Sequence, residues 1–137
     1  MFSKILLAID GSQPAEKAVT TAIEVARQQP AAVVVFHAHE HQMIRGAEVE
    51  LETTEEAGKL VGSAVAKLKD AGIPAEGEVK PARFGHVAQA ILDEANSDGY
   101  DLVVMGSRGL SDLKGLFLGS VTHKVIHLSP KPVLIVR

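Results

Sequence analysis

The chain has 137 residues, with 14 Lys+Arg against 17 Asp+Glu for a formal net charge of −3, no cysteine and 4% aromatic residues. These counts exclude a disulfide framework, a thiolate metal site and a cysteine nucleophile, and they lack the basic excess and the stacking residues on which nucleic-acid binding draws. One domain is expected, long enough to bury roughly two thirds of the surface of its unfolded chain.

No stretch approaches the roughly 18 to 20 uninterrupted apolar residues of a membrane span. The start, Met1-Phe2-Ser3-Lys4 followed by a short apolar run, lacks a signal-peptide pattern. The expectation is a cytoplasmic protein without membrane or nucleic-acid partners.

In chain order, residues 4–9 are nearly all apolar and end at Asp10-Gly11-Ser12, which suits a central strand covered on both faces. Pro14 then stands at a first helical turn, and Ala15, Ala18, Val19, Ala22, Ile23 and Ala26 recur at helical spacing up to Pro30. Residues 32–38 form a second β-branched run, a parallel partner for the first, closed by the polar tract His39-Glu40-His41-Gln42. Between 43 and 54 periodicity is poor and acidic residues accumulate, which reads as a loop or a frayed helix start. Residues 55–71 are helical, with Leu60, Ala64, Val65 and Leu68 on one stripe and Gly72 at the end. A weakly alternating third strand at 75–80 is more exposed and sits near the sheet edge. A short helix around Val87, Ile91, Leu92 and Ala95 leads to the fourth strand at 101–105, and a fifth lies at 132–136.

Strands and helices alternate from end to end, without repeat or linker, so the fold class is α/β: a single-domain, doubly wound, five-stranded parallel sheet with helices on both faces. In such sheets the ligand crevice opens at the carboxyl ends of the strands, where Asp10 and Gly106 close two different strands. Gly106-Ser107-Arg108-Gly109 follows the fourth strand, and Gly119-Ser120-Val121-Thr122 comes nine residues later. Glycines there let the backbone turn with φ > 0 and bring bare N–H groups to a ligand, and a helix opening at Gly119-Ser120 aims its positive end at the same point. The combination reads as a phosphate cradle.

These glycines, with Asp10 after the first strand, resemble the nucleotide-binding signature of the universal stress protein family, and the order and lengths of the elements resemble that family over the whole chain. The resemblance implies sheet order 3-2-1-4-5, a homodimer and ATP at the carboxyl edge. By position, it implies that Ala8, Ile9, Asp10 and Ala38 meet the adenine and ribose. Gly106, Ser107, Arg108 and Gly109 would then line the ribose and phosphates, and Gly119, Ser120, Val121 and Thr122 would hold the phosphates.

Several of these residues carry a second reading. Asp10 either accepts ribose or adenine hydrogen bonds, or helps hold the Mg²⁺ of a bound nucleotide, or caps the following helix. Ser120 and Thr122 offer hydroxyls to phosphate oxygens, to the helix start, or to both. Arg108 is either an anion donor or a solvated loop charge, while Lys114 and Lys124 read as solvent-facing. Ser111 would accept a phosphoryl group if bound ATP turned over slowly, yet no activating base is recognisable. The chain has neither a G-x-x-x-x-G-K-[ST] loop nor a kinase catalytic loop, so binding rather than rapid phosphoryl transfer is expected. His37, His39 and His41 fall at i, i+2, i+4, a spacing that would suit an imidazole metal site, but the residues after His37 read as loop. His123 and His127 lack the glutamate of H-E-x-x-H and read as surface or interface residues. The apolar fifth strand ends the chain at a sheet edge, where pairing with a second copy would protect it.

Overall fold

A computed structural model describes residues 2–97, 99–107 and 118–137, so Arg108, Gly109, Ser111 and Lys114 of the sequence reading lie outside the described residues. Four strands follow their apolar runs: β1 (Lys4–Ala8), β2 (Ala32–Ile44), β5 (Leu102–Gly106) and β6 (Val133–Val136). Two polar strands complete the set, β3 (Ala47–Glu50) and β4 (Ala75–Arg83). The helices are α1 (Gln13–Gln28), α2 (Thr54–Asp70), α3 (Val87–Ser97) and α4 (Ser120–Leu128). None of them is long and apolar enough to cross a membrane.

The five parallel strands run β4-β2-β1-β5-β6, which is the expected order 3-2-1-4-5. The sixth strand departs from the sequence reading. Residues 43–54 are not a loop or a frayed helix start throughout; β2 continues to Ile44, turns at Arg45 (φ 52°) and Gly46 (φ 78°), and returns antiparallel as β3. Two consecutive residues with positive φ match the right-handed twist of a hairpin. All four residues of β3 are exposed, so the strand shows none of the one-sided apolar alternation by which a strand is read. β3 takes the edge of β2 that β1 leaves beyond Phe36, while β4 runs along the other edge as far as Arg83.

Local sequence sets the helix starts. Ser12, not Asp10, caps α1: its Oγ accepts the Ala15 N–H at 3.2 Å, while Asp10 Oδ1 accepts the Ser12 N–H at 3.0 Å. Thr53 and Glu56 form a reciprocal capping box on α2. The sheet separates two apolar cores. Ile5, Leu7, Val33, Val35 and Val104 pack under α1 and α2. On the other face Leu6, Val34, Phe36, Val103 and Met105 pack under α3 and α4.

One charge sits within the second core. Glu94 is only 2% exposed, and its carboxylate accepts from Lys80 Nζ at 2.5 Å and from the buried Tyr100 hydroxyl at 2.9 Å. Burial works against its charge, but the hydrogen bonds from Lys80 and Tyr100 outweigh it and hold the carboxyl below its ordinary value.

Candidate functional site

β1 is the point at which the winding reverses, because its neighbours β2 and β5 lie on opposite sides of it. A cleft of about 320 Å³ opens at the carboxyl ends of β1 and β5. Of the residues singled out from sequence, Ala8, Ile9, Asp10, Ala38, Gly106, Ser120, Val121 and Thr122 all line this one cleft. Residues more than a hundred positions apart thus share one wall.

Ser107 and Gly119 stand behind the wall rather than in it. The Ser107 N–H donates to the Val136 carbonyl at 2.7 Å, and its own carbonyl accepts the Gly119 N–H at 2.7 Å, so Ser107 ties the end of β5 both to β6 and to the start of α4. Gly119 is the N-cap of α4 and provides no side-chain cap. The capping role considered for Ser120 and Thr122 is therefore not taken up. Thr122, 2% exposed, instead donates its Oγ1 hydrogen to the Gly106 carbonyl at 2.8 Å and pins the helix to the strand end. The first N–H groups of α4 have no acceptor within the helix, and their residues Ser120, Val121 and Thr122 line the cleft at the positive end of the helix dipole.

Gly106 is required for a different reason from the one sequence suggests. Its φ lies outside the left-handed region. A Cβ there would meet the Pro14 carbonyl carbon and Cβ at 2.8 Å and the Ala15 nitrogen at 3.0 Å. The glycine lets the first turn of α1 lie against the end of β5, which brings Asp10 and Gly106 to the same edge.

The opposite wall was missed in sequence. Phe36, Glu40, Leu51, Glu52, Phe84 and Val87 line it, contributed by β2, the return from β3 and the start of α3. His37, 6% exposed, joins the walls: its Nδ1–H donates to the Ile9 carbonyl at 2.8 Å, and its Nε2 contacts the Glu52 carboxylate. The hairpin brings Glu52 back to the cleft, and without the hairpin the acidic run has no visible target. The alternation of His37, His39 and His41 against Glu48, Glu50 and Glu52 was the available signal. Glu40 and Glu52 make this side rich in acceptors, and the start of α4 brings donors to the same cleft. Such a cleft suits a ligand with hydroxyl or amine donors at one end and an anion at the other. On α4, Lys124, His123 and His127 are exposed, as read from sequence.

The model of the universal stress protein family aligns with residues 1–137. The chain belongs to the universal stress protein family. It is 36% identical over 151 residues to universal stress protein YxiE of Bacillus subtilis, covering 100% of both chains. A Thermus aquaticus universal stress protein is 39% identical over 142 residues, again covering 100% of both. Among solved universal stress protein folds, MJ0577 of Methanocaldococcus jannaschii superposes with a TM-score of 0.82 at 28% identity, covering 99% of this chain and 96% of its own. A universal stress protein solved in complex with cAMP superposes with a TM-score of 0.72 at 26% identity, covering 99% and 97%.

Proposed function

We propose that the cleft binds an adenine nucleotide, ATP foremost, and that this universal stress protein works as a nucleotide-dependent regulator of the stress response with little or no hydrolysis. The observation that carries this reading is the start of α4, whose residues line the same cleft as Asp10 and Ala38 at the positive end of the helix dipole. The cAMP complex of a relative adds weight to the adenine part of the reading. In this arrangement Ser120 and Val121 hold phosphate oxygens through backbone N–H groups, with Arg108 and Gly109 assigned to the phosphates by family resemblance. Asp10 takes the ribose or adenine, or one position on the nucleotide's Mg²⁺, which is bound through one carboxylate and the phosphates. The Thr122 hydroxyl donates its one hydrogen to the Gly106 carbonyl, so Thr122 supports the cradle by pinning α4 to β5 rather than by a hydroxyl bond to phosphate.

We also propose a homodimer through β6. This strand bonds to β5 along one edge, and its four residues are each half-buried, so a second copy adding along the other edge would complete its cover.

The test is to purify the protein without added nucleotide, denature it, and identify released nucleotides by chromatography and mass spectrometry, beside a Ser120→Asp variant. Ser120 is exposed, and an acidic residue at the first turn favours the helix while repelling a phosphate. ATP from the parent and at least about 10-fold less from the variant is the expected result. Recovery of none from either, with no calorimetric signal for ATP–Mg²⁺, would sink the reading. Light scattering on the same samples measures the dimer.

A further inference from the structure

We propose that the β2–β3 hairpin carries a transition-metal site of the zinc class, built from His39, His41 and Glu50 and separate from the nucleotide cleft. One ligand atom from each of these residues lies within 4.8 Å of the other two. A tetrahedral zinc with bonds of about 2.0–2.2 Å needs its ligands about 3.4 Å apart, so side-chain rotation of roughly 1 Å closes the set.

The backbone presents these groups by construction. His39 and His41 are two residues apart on one strand and share a face, and Glu50 is the register partner of His41 on the antiparallel strand. The two imidazole rings already stand 4.6 Å apart. His39 is 4% exposed and donates Nε2–H to the Glu52 carbonyl at 2.8 Å. That bond fixes its tautomer and leaves the lone pair on Nδ1, an outer-shell arrangement that metal-ligating histidines use. His41 Nδ1 is shielded from solvent without a hydrogen-bond partner, since Glu48 Oε1 at 3.0 Å lies off the bonding direction. Among the described residues the Glu50 carboxylate makes no ion pair or hydrogen bond. Of the neighbouring glutamates, Glu52 is engaged with His37, while Glu48 lies against His41 itself and gives way when a metal takes that imidazole.

Two imidazoles and one carboxylate select Zn²⁺ or Co²⁺ over the Mg²⁺ that accompanies a nucleotide, and water completes the fourth position. A metal here would clamp β3 to β2. Because Glu52 is bonded to both His39 and His37, it would also hold the outer wall of the cleft.

The test is titration of the full chain with Co²⁺, read by visible absorption, and with Zn²⁺, read by calorimetry. Glu50→Gln, His41→Asn and a His123→Ala/His127→Ala double variant are titrated alongside. Glu50 is exposed, so its variant keeps the fold, which circular dichroism checks. His123 and His127, whose rings lie 5.0 Å apart on α4, are the competing imidazole pair. The expected result is one Co²⁺ per chain with a tetrahedral spectrum, weakened more than about 100-fold by Glu50→Gln and by His41→Asn and unchanged in the α4 variant. No binding by the parent, equal binding by the hairpin variants, or loss only in the α4 variant would each overturn the assignment.

Discussion

The two halves of the sheet meet at β1 and are held together by different physics. The β1-β5-β6 half is apolar and closely packed: Leu6, Leu7, Val103 and Val104 are fully buried, and α1 presses on Gly106 with no room for a methyl group. The outer half, β2-β3-β4, is apolar only where β2 runs beside β1. Beyond Phe36, side-chain pairs join it within itself, His37 with Glu52 and His41 with Glu48, and to α3, Lys80 with Glu94. Its turn glycine, Gly46, has nothing within 4 Å of a built Cβ and is needed only for its φ of 78°. Close packing holds the first half throughout; in the second it extends to Gly77 of β4, where a Cβ would run into Val61 of α2, and polar pairs join the part beyond. The cleft lies between them and takes a wall from each.

The largest effect should come from the packed half. Gly106→Val forces α1 off the end of β5 and is expected to cost about 3 kcal/mol, read as a lower urea midpoint with an unchanged slope. Because Asp10 moves with α1, ATP binding should fall with it. If stability is kept, the close approach is not what the glycine provides.

Glu94→Ala comes next. It leaves the buried Tyr100 hydroxyl without its acceptor, while Lys80, half exposed, can return to water. The expected loss is about 2 kcal/mol by urea unfolding. Tyr100→Phe combined with Glu94→Ala should add little to that, since the two groups share one interaction.

Gly46→Ala should cost about 1 kcal/mol, because the added Cβ is strained at positive φ but collides with nothing. Hydrogen exchange should increase in the hairpin amides and stay as in the parent in β1 and β5. Uniform loss of protection would show that the halves unfold as one unit.

The smallest effect is in the dependence on pH. Burial works against the charge of Asp101, but the N–H groups of Ser3 and Lys4 and the Ser3 hydroxyl outweigh it and hold its carboxyl below the ordinary 3.8. A carboxyl held low in the folded state adds stability above its unfolded value, and that stability is lost as pH falls through the folded one. Asp101→Asn is therefore expected to cost about 1 kcal/mol at neutral pH and progressively less than that below pH ~4. A difference that stays constant down to pH 2 would mean that the charge contributes nothing.

What could be read from the chain follows the same division. Apolar runs at 4–9 and 101–105 and helical stripes at 15–26 and 55–71 are local patterns set by burial, and they placed β1, β5, α1 and α2, whereas the sheet order came from the family resemblance. The carboxyl-edge residues Asp10, Gly106 and Ser120 were also legible, because a switch point has to fall where the strand order reverses. The hairpin was not, because its four β3 residues are all exposed and leave no burial pattern. Only the tertiary structure decided which groups meet across it: register places Glu50 opposite His41 and returns Glu52 to His37. It also replaced the reason for Gly106, from a backbone angle to a contact with Pro14 some 90 positions earlier, since a close approach depends on two segments and a sequence lists them one at a time.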